Sequence, residues 1–270
     1  GGAFETAGRQ KITPPDPEVP QDTEAAAFFD VDNTLIQGSS LILLAQGLFK
    51  KRFITLSELA PALRKQIRYR VSGSENADDI AEGREQALAI VKGKSVEELK
   101  QACREIVDNR MLQKSYADTI ELASMHLAAG QQVWLVSATP VQIGQALAET
   151  LGFTGALGTV AEEEDGKFTG RLVGDILHGP GKKHAVAALA ALQQLDLSKC
   201  TAYSDSVNDL PMLNMVGSPV AVNPDRALRK HAKAQGWAVR DYRSLRRVVR
   251  AGVVPAVLAA AGVWWWRQRR

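Results

Sequence analysis

The chain has 270 residues, with 33 basic and 30 acidic side chains that give a formal net charge of +3. Hydrophobic residues make up 45% and charged residues 23%, a composition that fits an ordinary globular protein and excludes a disordered or fibrous one. The two cysteines, Cys103 and Cys200, are too few for a disulfide framework and lack the spacing of a metal-binding pair. We therefore expect a reduced, intracellular protein of about two domains.

The first segment, residues 1–24, contains four prolines and almost no apolar periodicity. Such a segment cannot bury enough apolar surface to offset the entropy lost on folding. We therefore predict a disordered leader, with the folded part beginning at Ala25.

Short apolar runs alternate with helical patterns along most of the remaining chain. Residues 25–30 form an apolar run that ends in a carboxylate, which is typical of a buried parallel strand. Similar runs occupy residues 133–137, 201–204 and 220–222, and residues 162–174 predict a small hairpin. Helical patterns lie between them, at residues 115–129, 141–151, 183–195, 209–216 and 225–235. The alternation predicts an α/β fold, a Rossmann-like doubly wound parallel sheet formed by residues 25–37 and 115–241.

One stretch breaks this alternation. Residues 38–114 contain helical patterns near 39–51, 55–71, 76–91 and 95–109 and no convincing strand. Ser95 and Glu98 have the spacing of a capping box at the start of the last helix. We predict that residues 38–114 form an all-helical cap inserted after the first strand.

The C-terminal tail, residues 242–270, is basic and partly apolar. From Arg226 onward the chain carries twelve Lys or Arg and a single acid, Asp241. Residues 251–266 carry no charge, end in three tryptophans and have arginines on both sides. A helix started at Val248 would reach about 28 Å, close to the ~30 Å hydrocarbon core. This pattern predicts an apolar helix that anchors a cytoplasmic catalytic domain to the inner face of the cell membrane; a helix packed on protein is the alternative.

Two pairs of carboxylates follow predicted strands. Asp30 and Asp32 end the first strand, and Asp205 and Asp209 follow the run 201–204. Carboxylates this close repel one another unless a cation or a proton lies between them, and oxygen ligands suit Mg²⁺. Held against such an ion, one carboxylate can attack phosphorus while another moves a proton.

Two further groups suit a phosphate. Ser137 ends the run 133–137 just before a helix with Pro140 in its first turn, where a hydroxyl and backbone N–H groups face outward. Lys182 stands at the start of another helix, behind a glycine-rich loop. Taken singly, each of these groups has an ordinary structural explanation. The two carboxylate pairs together with Ser137 and Lys182, in their order along an alternating α/β chain, are a highly specific combination.

The set resembles the haloacid dehalogenase superfamily of aspartate-nucleophile phosphatases, in its phosphoserine-phosphatase-like subfamily IB branch. The resemblance covers residues 25–241 and rests on Asp30-x-Asp32-x-Thr34, Ser137, Lys182, and Asp205 with Asp209. It implies a Mg²⁺-dependent phosphomonoesterase in which Asp30 is the nucleophile that becomes an aspartyl-phosphate and Asp32 is the general acid and base. It also implies phosphate or substrate binding by Thr34, Ser137, Ala138, Lys182 and Asn208. Mg²⁺ would be held by the Asp30 carboxylate, the Asp32 main-chain carbonyl and Asp205, with Asp209 in support.

Two departures from the family pattern bear on the substrate. Phosphoserine phosphatases read the substrate's amine and carboxylate with a Glu and an Arg, at positions that here hold Ser39 and Ala87. The departures argue against phosphoserine and leave a small or lipid-linked phosphate monoester. The alternative is a membrane-tethered phosphate-binding or regulatory protein, on this fold or a receiver-like one, without turnover. No nucleic-acid motif is present, so we expect no nucleic-acid partner.

Overall fold

The structure is a computed structural model that describes residues 4–6, 12–58, 85–174 and 176–243. The described strands are β1 (Phe4–Thr6), β2 (Ala26–Asp30), β3 (Gln132–Pro140), β4 (Gly155–Thr159), β5 (Ala161–Glu164), β6 (Lys167–Leu172), β7 (Thr201–Ser204), β8 (Ser218–Val222) and β9 (Ala238–Arg240). Within the described residues, seven α-helices are labelled α1 (Ser40–Lys50), α2 (Val96–Ile106), α3 (Ala117–Ala128), α4 (Val141–Leu151), α5 (Pro180–Gln193), α6 (Leu210–Leu213) and α7 (Arg226–Gln235). Residues 85–91 are also helical, Val107–Met111 is a π-helix, and Leu112–Lys114 and Val207–Asp209 are 3-10 helices.

The predicted parallel sheet is confirmed. Seven of the described strands form it in the order β1-β4-β3-β2-β7-β8-β9. All neighbours are parallel except β1, which pairs antiparallel with β4 at one edge. The remaining two, β5 and β6, form the predicted hairpin. The short strands β1, β4 and β9 are additions that the sequence pattern did not indicate.

The alternation of side chains along the central strands supplies both faces of the core. In β2, Ala27 and Phe29 belong to one buried cluster, and Ala26 and Phe28 belong to the other. Because successive side chains of a strand point to opposite faces, a strand covered on both sides must be apolar throughout. Helices α1 to α4 contribute to the first cluster, and α5 to α7 contribute to the second.

The described residues between β2 and β3 form helices and turns. α2 begins as the sequence predicts, with Ser95 Oγ accepting a hydrogen bond from the Glu98 amide at 3.3 Å. Apolar residues of α1 and α2, including Leu44 and Cys103, are continuous with the cluster on the first face of the sheet. Residues 59–84 of the predicted cap lie outside the described residues, and the division of the chain into core and cap stays a prediction.

Residues 12–24 differ from the disordered leader that the sequence predicts. Their backbone runs across the ends of two helices, where Thr13 N donates to Gly152 O and Asp16 N donates to Ala128 O, both at 2.9 Å. The Gln21 side chain adds a bond to Ala128 O at 3.1 Å. Proline prevents regular structure, but it leaves the other amides free to bond with helix carbonyls that have no partner within their helix.

The prediction of a membrane-spanning helix is corrected by the structure. Among the described residues, no helix combines the length and apolar content that crossing a bilayer requires. Helix α5, Pro180–Gln193, has 14 residues, about 21 Å at 1.5 Å per residue against a ~30 Å core. The segment 251–266, on which the prediction depended, lies outside the described residues.

Candidate active site

Four chain segments meet at the carboxyl edge of the sheet. β2 lies between β3 and β7 and runs parallel to both, so the residues that follow these strands are neighbours. Asp30 ends β2 and pairs in register with Val136 of β3, which places Ser137 one residue further along. Asp205 follows β7, and the first turn of α5 supplies Lys182.

Lys182 joins two of the predicted site carboxylates. Its Nζ donates to Asp30 Oδ1 at 2.6 Å and to Asp209 Oδ2 at 2.7 Å. The lysine side chain is only 6% exposed, so both bonds are shielded from water. Ser204 Oγ donates to the same Asp209 oxygen at 2.7 Å, whereas the adjacent Lys183 is exposed. Asp209 therefore holds the lysine against Asp30.

The loop after β2 is held from two sides. Ser40 donates to Asp32 Oδ1 from its backbone N, at 2.9 Å, and from its hydroxyl. Thr34 Oγ1 lies 3.4 Å from Asp30 Oδ2, and the Thr34 carbonyl accepts from Thr119 Oγ1 at 2.8 Å. The first turn of α1 and the first turn of α3 thus fix the two halves of the loop.

The Ser137 hydroxyl faces inward, whereas the sequence predicts that it faces outward. β3 continues to Pro140 with a register shift between Val136 and Pro140, and α4 begins at Val141 as predicted. Ser137 Oγ bonds instead with Thr139 Oγ1 at 2.8 Å and is buried. Ala138 is exposed at the bulge. The irregular strand end therefore turns Ala138 outward while Ser137 and Thr139 stay inside.

Asp205 and Asn208 occupy the loop between β7 and α6. Asp205 is half-buried, and the nearby side chain of Asn33 opposes the rise that burial causes in the pKa of its carboxyl. Asn208 is exposed on the 3-10 turn Val207–Asp209, where its backbone N donates to Ser206 Oγ at 3.2 Å. In the structure Asp205 therefore lies beside the β2 loop, and Asn208 lies at the surface of the site.

The acidic groups of the site are desolvated and close to one another. Burial raises the pKa of the Asp30 carboxyl above its usual range; the charge of Lys182 opposes the shift, and Asp209 and Asp205 add to it. Burial also raises the pKa of Asp205 to about 6, against the opposing effect of the Asn33 side chain. Burial alone would lower the pKa of Lys182, but Asp30 and Asp209 outweigh it and raise that pKa. The site thus has more carboxylates than cations.

The chemistry of these groups fits a divalent cation. Among the described residues, no three His, Cys, Asp or Glu side chains are grouped to hold a metal ion. The Asp32 carboxylate bonds to Ser40, which leaves its main-chain carbonyl as the ligand that the sequence predicts. Asp30 and Asp205 offer carboxylates, and Mg²⁺ commonly takes one or two protein carboxylates while keeping waters.

Sequence reasoning missed several residues whose side chains hydrogen-bond to the predicted site residues. Ser40 and Ser204 bond to Asp32 and Asp209, and Thr139 bonds to Ser137. Ser204 carried a signal, because it ends an apolar run directly before Asp205. Ser40 and Thr139 carried no such signal, since a serine before a helix and a threonine before a proline are common at helix starts.

Comparison with known proteins agrees with this geometry. The model of the haloacid dehalogenase-like hydrolase family matches residues 27–214. Phosphoserine phosphatase SerB1 of Mycobacterium tuberculosis is 52% identical over 92% of this chain and 80% of its own length. A histidinol-phosphatase of Neisseria meningitidis is 33% identical over 80% of this chain and 98% of its own.

A solved structure is similar over most of the chain. A protein of unknown function from Bordetella pertussis superposes with a TM-score of 0.71 and 30% sequence identity, over 82% of this chain and 99% of that one. The family match spans the segments that carry Asp30, Ser137, Lys182 and Asp209. The chain therefore belongs to the haloacid dehalogenase-like hydrolase family and is a phosphatase of the phosphoserine-phosphatase-like kind.

Proposed function

We propose that the protein hydrolyses a small phosphate monoester in two steps, with Asp30 as the nucleophile. The observation that carries the proposal is the bridge from Lys182 Nζ to Asp30 Oδ1 and Asp209 Oδ2, at 2.6 and 2.7 Å. It sets a fixed positive charge beside a buried carboxylate at the edge of the sheet where ligands bind in such folds. A phosphoryl group beside Asp30 would contact this charge as it is transferred.

In the first step, an Asp30 carboxylate oxygen attacks phosphorus and the bond from phosphorus to the ester oxygen breaks. Asp32, protonated, gives its proton to the leaving alcohol. In the second step, water attacks the aspartyl-phosphate, Asp32 takes a proton from that water, and inorganic phosphate leaves Asp30. Ser40 holds Asp32 Oδ1, so Oδ2 is the oxygen that would carry the proton.

Mg²⁺ is part of this proposal. Asp30 and Asp205 would hold it through their carboxylates and Asp32 through its main-chain carbonyl, and the bound ion would neutralise charge on the phosphoryl oxygens. The raised pKa values of Asp30 and Asp205 support a cation there, since both carboxyls are desolvated in an acidic surrounding. Thr34, Ser137, the exposed backbone at Ala138, Lys182 and Asn208 would bind the phosphate.

The substrate is proposed to be a monoester other than phosphoserine. Ser39 is the N-cap of α1, with its hydroxyl accepting from Ile42 N at 3.5 Å, and Ala87 is exposed on the helical stretch 85–91. Neither side chain has a charge with which to bind an ammonium or a carboxylate. The relatives named for phosphoserine and for histidinol phosphate indicate that small monoesters of both kinds should be tested.

The test is phosphate release by wild type and Asp30→Asn, with Mg²⁺ and with a chelator. The matched control is Asp165→Asn, at an exposed hairpin turn where a φ of +50° suits asparagine. We expect release that needs Mg²⁺, survives in Asp165→Asn and disappears in Asp30→Asn. The substrates are phosphoserine, histidinol phosphate, glycerol and sugar phosphates, and lysophosphatidate. Release by Asp30→Asn at the wild-type rate contradicts the proposed nucleophile, and no release from any of them favours phosphate binding without turnover.

A further inference from the structure

Asn223 is a fully buried polar residue at the end of β8. Its exposure is 0%, and its φ of +48° lies in the left-handed region. Asparagine tolerates this conformation better than most residues other than glycine, at a small cost. A buried amide in such a conformation needs partners, because leaving its donor or acceptor unpaired costs free energy.

The side chain of Asn223 connects the β2 loop with the chain after β9. Its Nδ2 donates to the carbonyl of Asn33 at 2.8 Å, and its Oδ1 accepts from the backbone N of Tyr242 at 2.7 Å. Its own backbone N donates to Arg240 O at 2.7 Å. In the sheet, β7 lies between β2 and β8, so the bond to Asn33 passes over the end of the strand that carries Asp205.

Asn33 is the residue through which this bond acts on the site. It lies between Asp32 and Thr34, with a φ of +56°. Its side chain accepts from Gly38 N at 3.0 Å and lies near the Asp205 carboxyl, where it opposes the rise in pKa that burial causes. The orientation of Asn33 therefore fixes the loop that carries Asp32 relative to Asp205.

A neighbouring residue holds the β7 loop in the same way. Asp225 N donates to Asp205 O at 2.8 Å, and Asp225 Oδ2 accepts from Val207 N at 2.9 Å. Residues 223–225 thus contact two loops of the site. Asn223 bonds to the loop after β2, and Asp225 bonds to the loop after β7. A substitution at Asn223 alone separates the two effects, because the bonds of Asp225 do not involve the Asn223 side chain.

We propose that Asn223 is a positioning residue of the phosphatase site, whose amide holds the Asn33 carbonyl and so sets the β2 loop against Asp205. The inference rests on the proposed function and deepens it. Asn223 touches neither the phosphate nor the metal in this scheme and acts through Asn33. Groups that orient metal-binding or reacting residues typically matter about 10–100-fold in metal affinity or activity.

The test compares two variants with wild type. Asn223→Asp is isosteric and keeps the acceptor for Tyr242 N, but it loses the donor to Asn33. Asn223→Gly loses the same donor without adding charge, and glycine adopts a φ of +48° without steric strain. The matched control is Asn109→Asp, since Asn109 Nδ2 also donates to a backbone carbonyl, that of Glu105 at 2.8 Å, on an exposed part of the chain. Circular dichroism shows whether each variant is folded.

The readouts are kcat and KM for phosphate release and the Mg²⁺ affinity by calorimetry without substrate. We expect both Asn223 variants to lower kcat about 10–100-fold, with KM changed much less. Both should also bind Mg²⁺ about tenfold more weakly. The control Asn109→Asp should match wild type in all three quantities. Folded Asn223 variants with wild-type kcat and Mg²⁺ affinity overturn the inference. Loss of the fold in both variants also overturns it, because Asn223 would then be needed for folding and not for positioning.

Failure of the proposed function is distinguishable from failure of this inference. If wild type releases no phosphate, the proposed function fails, and the calorimetry alone decides. Weaker Mg²⁺ binding in both Asn223 variants than in wild type then supports the positioning role. Equal affinity, or no measurable Mg²⁺ binding to any of the proteins, overturns it.

Discussion

Replacing Lys182 by methionine tests the electrostatics of the site. Methionine has a similar length but donates no hydrogen bond, so two carboxylates lose their cation at once. The side chains of Asp30 and Asp209 are 9% and 3% exposed, so water cannot replace the ammonium. Removing one partner of a buried ion pair typically costs about 3–5 kcal/mol, and we expect a loss of this size in the free energy of unfolding at pH 8.

The stability of Lys182→Met should depend on pH, because a proton on Asp30 can take the place of the lysine's charge. Burial already raises the pKa of Asp30 in the wild type, and without Lys182 the charge that opposes this shift is gone. A carboxyl whose folded pKa exceeds its unfolded value of about 3.9 favours the folded state at low pH and loses that contribution as pH rises through the folded pKa. Lys182→Met should therefore lose stability from pH 5 to pH 8, by up to about 1.4 kcal/mol per pH unit for each proton involved.

The assay is urea unfolding at pH 5 and pH 8 in the presence of a chelator, for wild type, Lys182→Met and Lys183→Met. Lys183 is the matched control, since it follows Lys182 in the same helix and is exposed. Its replacement should change the free energy of unfolding by no more than about 0.5 kcal/mol. The double variant Lys182→Met with Asp209→Asn should regain about 1–2 kcal/mol, because one buried charge is then removed. If Lys182→Met is as stable as Lys183→Met at pH 8, or is no less stable at pH 8 than at pH 5, the electrostatic reasoning is refuted.

Three further substitutions test local features. Ser39→Ala removes the N-cap of α1 and should cost about 1 kcal/mol in urea unfolding; no loss would mean that the cap bond contributes nothing. Gly217→Ala should cost at least about 2 kcal/mol and lower Tm by roughly 4–8 °C, because a Cβ there would overlap the Ser198 carbonyl oxygen; an unchanged Tm contradicts this close approach. Asp241→Asn should cost about 0.5–1 kcal/mol at pH 7, since the pKa of Asp241 is lowered to about 2 by hydrogen bonds from Arg243 and Arg229. Because the folded pKa lies below the unfolded one, this cost should shrink as pH falls from 4 towards 2, and a cost that stays constant would contradict the pairing.

The sequence predicted the parallel sheet well because its signal is local. A strand covered on both faces must be apolar at every position, and residues 26–29 are. It also predicted which strand ends carry polar groups, and the structure brings Asp30, Lys182 and Asp209 into contact there. The strands β1 and β9 were not predicted because three residues are too few to show an alternating or a continuous apolar pattern. β4 was not predicted because two of its five residues are glycines, which are uncommon in strands.

Other sequence predictions followed local rules that longer-range contacts override. The position of Ser137 before a helix with Pro140 in its first turn predicts a hydroxyl that faces outward. The pairing of β3 with β4 extends the strand instead, and Ser137 is buried. Prolines in residues 12–24 indicate a segment without regular structure, yet the amides that remain bond to the ends of α3 and α4. Neither outcome can be seen without the neighbouring element.

The sequence by itself determined the residue types and the order in which the strands present them. The tertiary structure alone decided which atoms meet: Lys182 Nζ bonds to Asp30 across 152 positions, and Asn223 bonds to Asn33 across 190. Such contacts depend on the strand order, with β7 between β2 and β8, and on the turn taken after each strand. Local periodicity carries information about one element at a time, so a bond between two distant elements becomes visible only when both are in place.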